Sequence, residues 1–214
     1  MNTNIIKNFF VFEGVDGSGT TTQISLLADY FRTKNKSVFE TSEPTTFETG
    51  RFLRNCLSGT IQVQPETILL LFAADRNEHI FSPFGIFSSL KKYDYVISDR
   101  YLFSSLAYQG ASGLFEQAKK YNENFPLPEV LFFFDCDAET AFHRVEKRSA
   151  SGTATKEIYE TKLFQKKVRD MYEKVLALYA NTAMKTAVVD ANRPIECVHA
   201  QIIYELQKLK IIQS

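Results

Sequence analysis

The opening segment, Phe9-Phe10-Val11-Phe12-Glu13-Gly14-Val15-Asp16-Gly17-Ser18-Gly19-Thr20-Thr21-Thr22-Gln23, passes from an apolar run through a glycine-rich turn into helical periodicity. A strand that is apolar without alternation has to be covered on both faces, so it belongs in a parallel sheet with helices above and below. The same form returns in Tyr95-Val96-Ile97-Ser98-Asp99 and Leu131-Phe132-Phe133-Phe134-Asp135, each an apolar strand closed by a carboxylate. Ser37 to Thr41 and Ala187 to Asp190 read as the remaining strands. Between them the period changes to that of a helix: Ile24, Leu27, Ala28 and Phe31 after the turn, Leu69, Phe72, Ala73, Arg76 and Ile80 behind Pro65, and Ile195, Val198, Ile202, Leu206 and Leu209 behind Pro194. This alternation predicts an α/β fold, a doubly wound five-stranded parallel sheet with helices on both faces. It is read as a single domain over 1–214, with its site at the carboxyl ends of the strands.

Bulk charge narrows the partners. With 25 basic and 25 acidic residues in 214, the chain has no net pull on nucleic acid or a membrane surface, so any phosphate-binding charge must be concentrated locally. No apolar run approaches the length of a bilayer span and no secretory leader is evident, which sets cytoplasm as the expectation. Cys56, Cys136 and Cys197 are widely spaced and form no CxxC pair, so they read as buried thiols rather than a zinc site or a disulfide framework.

Gly14, Gly19 and Thr21 fall on the phosphate-loop pattern G-x-x-x-x-G-K-[ST], in which backbone N–H groups and a helix N-terminus cradle phosphate oxygens. The strand before and the helix after are the context that this pattern requires. Gly14, Val15, Asp16, Gly17, Ser18, Gly19, Thr20 and Thr21 are therefore the expected ATP-phosphate cradle. Thr21 would offer its hydroxyl to Mg²⁺, with Asp99 as an acid for the metal's waters. The lysine of the pattern is missing: position 20 is threonine.

The run Ile97-Ser98-Asp99-Arg100-Tyr101-Leu102-Phe103-Ser104-Ser105-Leu106-Ala107-Tyr108-Gln109 resembles the signature of thymidylate kinases. The resemblance extends to Phe12 through Gly19, Glu43-Pro44, Phe72 with Ala74 and Arg76, Arg144 with Arg148, and Tyr159-Glu160, in the family's order over most of the chain. It implies Mg²⁺-dependent transfer of the ATP γ-phosphoryl group to dTMP. Phe72 would stack on thymine, while Arg76 and Gln109 would read its polar edge. The four-residue spacing of Phe72 and Arg76 independently puts a ring and a guanidinium on one helix face. Arg100 would bind the acceptor phosphate and Asp16 would orient it or hold its partners, with Glu43, Tyr101, Ser104, Ser105 and Tyr159 lining the pocket. The family also implies a homodimer, through helices of the first half.

Phosphoryl transfer between polyanions needs positive charge around the equatorial oxygens more than covalent chemistry. Arg144 and Arg148 lie four apart on a predicted helix, ahead of a loop rich in Ser, Ala, Gly and Thr, and the segment 144–160 is expected to be a small mobile lid. Members of the family differ in whether the catalytic arginine sits in the phosphate loop or in the lid; glycine at position 17 points to the lid and to Arg148. Thr20, Ser42 before Glu43, and Thr155-Lys156 all reduce or displace positive charge relative to many relatives. Lys147, Arg148 or Lys156 is expected to enter the volume left at position 20. Two rival readings remain at this point: another nucleoside or nucleoside-monophosphate kinase on the same scaffold, and a nucleotide-binding protein weakened by loss of the lysine.

Overall fold

The structure, a computed structural model, describes residues 4–150 and 161–212, with 148–150 described as helical backbone. In chain order the elements are β1 (Ile5–Gly14), α1 (Thr20–Thr33), β2 (Val38–Ser42), α2 (Glu48–Leu57), α3 (Pro65–Phe81), α4 (Ile86–Ser89), β3 (Tyr95–Asp99), α5 (Leu102–Ala111), α6 (Phe115–Asn122), β4 (Leu127–Asp135), α7 (Ala138–Ala150), α8 (Lys162–Tyr179), β5 (Lys185–Asp190) and α9 (Ile195–Lys208). All strand pairings are parallel, in the order β2-β3-β1-β4-β5. This is the α/β sheet expected from the unalternating apolar runs.

β1 occupies the centre, where both of its faces are covered: Phe9, Phe10, Val11 and Phe12 are fully buried. Phe12 packs at a tilt against Phe132 and Phe134 of β4, with ring centroids 5.0 and 5.2 Å apart. At the edge, β5 alternates buried and exposed residues instead, and the Gln201 side chain of α9 pairs with its backbone at Asp190 N (3.2 Å) and Val188 O (3.1 Å). An edge strand closed by a side chain in this way offers less of a template to another strand.

The register fixes where the carboxyl ends fall. Phe12 lies opposite Asp99, and Gly14 lies opposite Phe134, so the turn after β1 and the acid at the end of β3 emerge side by side. β1 is also where the strand order reverses, the position at which open α/β sheets leave a crevice for a ligand.

Two details depart from the expectations. The helix ahead of the expected lid runs on to Ala150, past the Ser149 at which the loop was expected to start, and residues 151–160 lie outside the described part. Cys56 and Cys136 are buried, but Cys197 is only half-buried. The Ser104-Ser105 stretch is the middle of α5, a helix buried from Leu102 to Gly110. Among the described residues, no helix is long and apolar enough to cross a membrane.

Candidate active site

The glycines of the turn are there for two separate physical reasons. Gly17 and Gly19 have φ of +87° and +95°, backbone conformations that side chains with a Cβ rarely adopt. At Gly19 a Cβ would meet open space, whereas at Gly17 it would lie 2.3 Å from the Ala141 carbonyl oxygen of α7. Helix α7 thus packs directly on the phosphate loop at position 17 and leaves no room there for an arginine. Ser18 N–H closes the turn on Val15 O at 3.0 Å, and Gly19 is the left-handed residue from which α1 starts.

At the neighbouring strand end, the Thr21 hydroxyl donates to Asp99 Oδ2 at 2.6 Å. Among the described residues no group of His, Cys, Asp and Glu is dense enough to hold a metal ion without help. Thr21 and Asp99 therefore fit Mg²⁺ only as an ion that arrives with phosphate oxygens and keeps its water, which is how this hard, slowly dehydrating cation is commonly held.

A cavity of about 340 Å³ lies over the turn, lined by Val15, Asp16, Gly17, Gly19, Thr20, Thr21, Thr22, Asp99, Arg100 and Arg144. A second cleft is lined by Asp16, Glu43, Pro44, Leu57, Phe72, Arg76, Arg100, Tyr101, Ser104 and Tyr108. Asp16 and Arg100 belong to both. They form an ion pair on that shared wall, Arg100 Nη2 donating to Asp16 Oδ1. Arg100 is also held by Gly14 O (3.2 Å), Ser104 Oγ (3.1 Å) and Tyr108 OH (3.2 Å), and its backbone is left-handed at φ +70°.

At the other end of the second cleft, α3 presents Phe72 and Arg76 together, as their spacing predicts. Arg76 is fully buried. Its Nη2 donates to Glu43 Oε2 at 2.6 Å and to Ser105 Oγ at 3.0 Å, its Nη1 donates to Asn122 Oδ1, and its guanidinium lies over the Tyr101 ring at 5.4 Å. Glu43 meets His79 Nδ1 through its other oxygen, at 2.9 Å. Gln109, one turn along α5 from Ser105, does not line the cleft, but it is 1% exposed and both its polar side-chain atoms lack a partner, as does Arg76 Nε. Orphaned buried polar atoms are costly to keep unless a ligand satisfies them.

The lid candidates separate. Arg144 reaches back from α7 to donate to Ala191 O at 3.0 Å and to lie 3.5 Å from Gly17 O and Ser18 O. Arg144 also lines an adjoining cavity of about 340 Å³ with Ser18, Gly19, Thr22, Arg193 and Pro194. Lys147 stands exposed on α7 and lines neither cavity. Arg148 belongs to α7 by its backbone, while the side chain of Arg148 and the whole of Lys156 and Tyr159 lie outside the described residues.

Several residues were not singled out by sequence reasoning. Asp75 accepts from Thr45 N–H (2.7 Å), Thr45 Oγ1 (2.6 Å) and Thr49 Oγ1 (2.7 Å), and Arg54 Nη1 donates to Thr45 O at 2.6 Å; together they shape the loop that carries Glu43. Gln165 of α8 grips Asp16, accepting from its N–H at 3.2 Å and donating to its Oδ2 at 2.8 Å. Glu13 is fully buried and accepts from Tyr101 N–H (2.7 Å), Ser104 N–H (3.2 Å), the Ser104 hydroxyl and the Tyr172 hydroxyl (2.8 Å). Burial raises its carboxyl to about 7, although the Arg100 charge and the hydrogen bonds from Ser104, Tyr172 and Tyr101 pull it down. The available signal was a polar residue set inside an apolar period: Glu13 in Phe-Val-Phe-Glu, and Gln165 and Tyr172 on the buried stripe of α8 with Val168 and Val175.

The pattern that describes thymidylate kinase matches residues 12–202 of the chain. A protein of Treponema pallidum (strain Nichols) is 41% identical over 209 residues, covering 97% of this chain and 98% of its own. One of Methanocaldococcus jannaschii is 41% identical over 202 residues, covering 94% and 96%. One of Thermococcus kodakarensis is 36% identical over 210 residues, covering 94% and 98%. All three carry the name thymidylate kinase with a provisional qualifier. With the family pattern matched from residue 12 to 202 and with relatives matched along nearly their full length, the chain belongs to the thymidylate kinase family.

Proposed function

We propose that the protein transfers the γ-phosphoryl group of ATP to the phosphate of dTMP, giving ADP and dTDP and so serving the supply of dTTP. The observation that carries this reading is the shared wall: Asp16 and Arg100 line both the cavity over the phosphate loop and the cleft that holds Phe72 and Arg76. Two phosphates approaching from the two sides would meet there, which converts a bimolecular problem into one of orientation.

In this reading the backbone of residues 14–21 cradles the ATP phosphates, and Thr21 would offer its hydroxyl to Mg²⁺ with Asp99 as the acid for the metal's waters. Bound there, the ion would offset the negative charge of the phosphates. Arg100 binds the acceptor phosphate, and Asp16, itself fixed by Gln165, sets the direction of the guanidinium. Phe72 covers the base. Arg76 and Gln109 supply the donors and acceptor that a pyrimidine edge would satisfy, and Glu43 holds Arg76 in place from below. Tyr101 and Ser104 complete the wall, and Ser105, which does not line the cleft, supports Arg76 from behind it. Arg148 is the proposed lid cation at the transferring group, and Arg144 closes the donor side. Two copies would associate through exposed Phe52, Leu70, Phe81, Phe84 and Phe87 on and beside α2, α3 and α4; sedimentation at equilibrium would read a dimer mass.

A coupled assay with Mg²⁺ and ATP tests the function. Turnover of dTMP well above thymidine and above the other nucleoside monophosphates is expected, and a preference for thymidine would sink the reading. Thr20 favours one second reading, a nucleotide-binding protein with weakened chemistry. If the native protein is inactive and Thr20→Lys restores turnover, that second reading stands.

A further inference from the structure

Glu13 takes no part in holding a substrate, yet it is the most heavily bonded carboxylate near the site. It is buried at the end of β1, directly beneath the turn, and accepts three hydrogen bonds from the segment that delivers Arg100 and a fourth from the Tyr172 hydroxyl of α8. We infer that Glu13 is the positioning residue of the acceptor-site arginine, acting on it both through the backbone of α5 and through the hydroxyl of Ser104. The kinetic part of this inference rests on the function proposed above.

The backbone arm is a cap. Tyr101 N–H belongs to the cap residue of α5 and Ser104 N–H to its first turn, where amides lack the regular helical partner and Ser104 N–H has a 3.2 Å bond back to Tyr101 O. Among the described residues no side chain of the helix's own cap residue bonds them; Glu13 Oε1 does so from another strand, at 2.7 and 3.2 Å. One residue earlier, Arg100 N–H donates to Phe12 O at 2.9 Å, and the Ser98 hydroxyl donates to Arg100 O at 2.7 Å. The left-handed backbone of Arg100 is thus clamped on both sides, which is the over-determination that such a conformation needs in order to persist.

The side-chain arm is a matter of counting protons. Ser104 Oγ carries one hydrogen, which points to Glu13 Oε2, so its lone pairs are free to accept Arg100 Nη1 at 3.1 Å. The Tyr172 hydroxyl donates to the same Oε2 at 2.8 Å and sits 3.0 Å from Ser104 Oγ. A protonated Glu13 would have to donate into this group. It would then turn the Ser104 hydroxyl round toward Arg100, donor against donor, or push the Tyr172 proton toward Gly14 O. The ionised carboxylate alone satisfies every donor and leaves the guanidinium facing the shared wall.

The charged and titratable groups that face Glu13 are Arg100 from the turn before α5 and Tyr172 from α8. Asp16, Tyr108 and Asp99 stand behind Arg100. Burial drives the Tyr108 and Tyr172 hydroxyls upward, so neither titrates near neutrality. The carboxylate is consequently the group whose protonation disarms Arg100 as pH falls.

Glu13→Gln keeps the shape and removes the charge. The expected result is a fall in kcat of tenfold or more and a rise in the KM for dTMP, with the KM for ATP within twofold. The acid limb of the kcat profile should be lost and the melting temperature at pH 8 should not fall. Tyr172→Phe keeps the charge and removes one donor to it, and should move the acid limb to higher pH. Unchanged kcat and an unchanged acid limb in both variants would overturn the inference, as would equal losses toward ATP and dTMP accompanied by a lower melting temperature. The Arg100 side-chain N–H resonances of ¹⁵N-arginine-labelled protein give a readout that needs no turnover. They should shift in Glu13→Gln even if the native protein proves not to phosphorylate dTMP, and an unmoved Arg100 signal would sink the positioning role independently of the reaction.

Discussion

At the scale of single residues, the site combines groups that are expensive to keep. Glu13 gives the clearest stability consequence. Its carboxyl sits near 7 in the fold against an ordinary 4.5, so the group favours folding fully below pH 4.5 and that contribution is lost as pH rises toward 7. The loss is on the order of 3 kcal/mol, since one pKa unit is about 1.4 kcal/mol. Urea unfolding at pH 4.5 and pH 8 should therefore show Glu13→Gln losing less stability between the two than the native chain, a gain bought at the expense of activity. Gly17 gives a second prediction. Even Gly17→Ala sets a Cβ 2.3 Å from the Ala141 carbonyl in a left-handed conformation, and should cost about 2 kcal/mol or more in the same measurement. For the lid, Arg148→Ala should reduce kcat by about 10²–10³, the scale of a removed transition-state donor. Lys147→Ala should stay within about threefold, because Lys147 is exposed and off both cavities.

At the scale of elements, the loop that carries Glu43 is held by α3 rather than by its own sequence. Asp75 takes the Thr45 N–H and the hydroxyls of Thr45 and Thr49 in a buried setting, so Asp75→Ala strands those donors. The expected cost is about 3 kcal/mol, with a higher KM for dTMP and little change for ATP, read by urea unfolding and steady-state kinetics. The strands were legible in the sequence because β1, β3 and β4 are buried on both faces and leave unbroken apolar runs. Phe72 with Arg76 was legible because a helix repeats its face every four residues. α5 was harder to read: its buried face carries the polar residues Ser104, Ser105 and Gln109, so its composition does not resemble a core helix. The grip of Gln165 on Asp16 joins residues 149 apart in sequence, and no local period encodes it. Glu13 was visible as an acid in an apolar strand, but its partners Ser104 and Tyr172 come together only once the sheet is wound.

At the scale of the whole molecule, a chain with equal numbers of acidic and basic residues binds polyanions through local placement alone. Arg76 and Arg100 are held inside the fold by Glu43 and Asp16, so their charge is arranged before any ligand arrives. Ligand linkage gives a measurable form of this. Saturation with dTMP at about 100 times its Kd should stabilise the fold by about 2.7 kcal/mol. For a domain of this size that corresponds to a rise in Tm of roughly 5–10 °C. Thymidine at the same concentration, lacking the phosphate for Arg100, should give a much smaller shift by differential scanning calorimetry.

The central strand has a mechanical consequence. The turn over which ATP phosphates would lie follows β1, and the residue proposed to grip the acceptor follows β3, the strand hydrogen-bonded beside it with Phe12 opposite Asp99. The gap between the two reacting halves is therefore gauged by the spacing of adjacent strands, about 4.8 Å, which is among the stiffest distances a polypeptide can set. Such a ruler does not flex with substrate. Whatever opens and shuts during a turnover has to be carried by the helices and loops at its rim, while the interval across which a phosphoryl group would travel is held constant by the sheet.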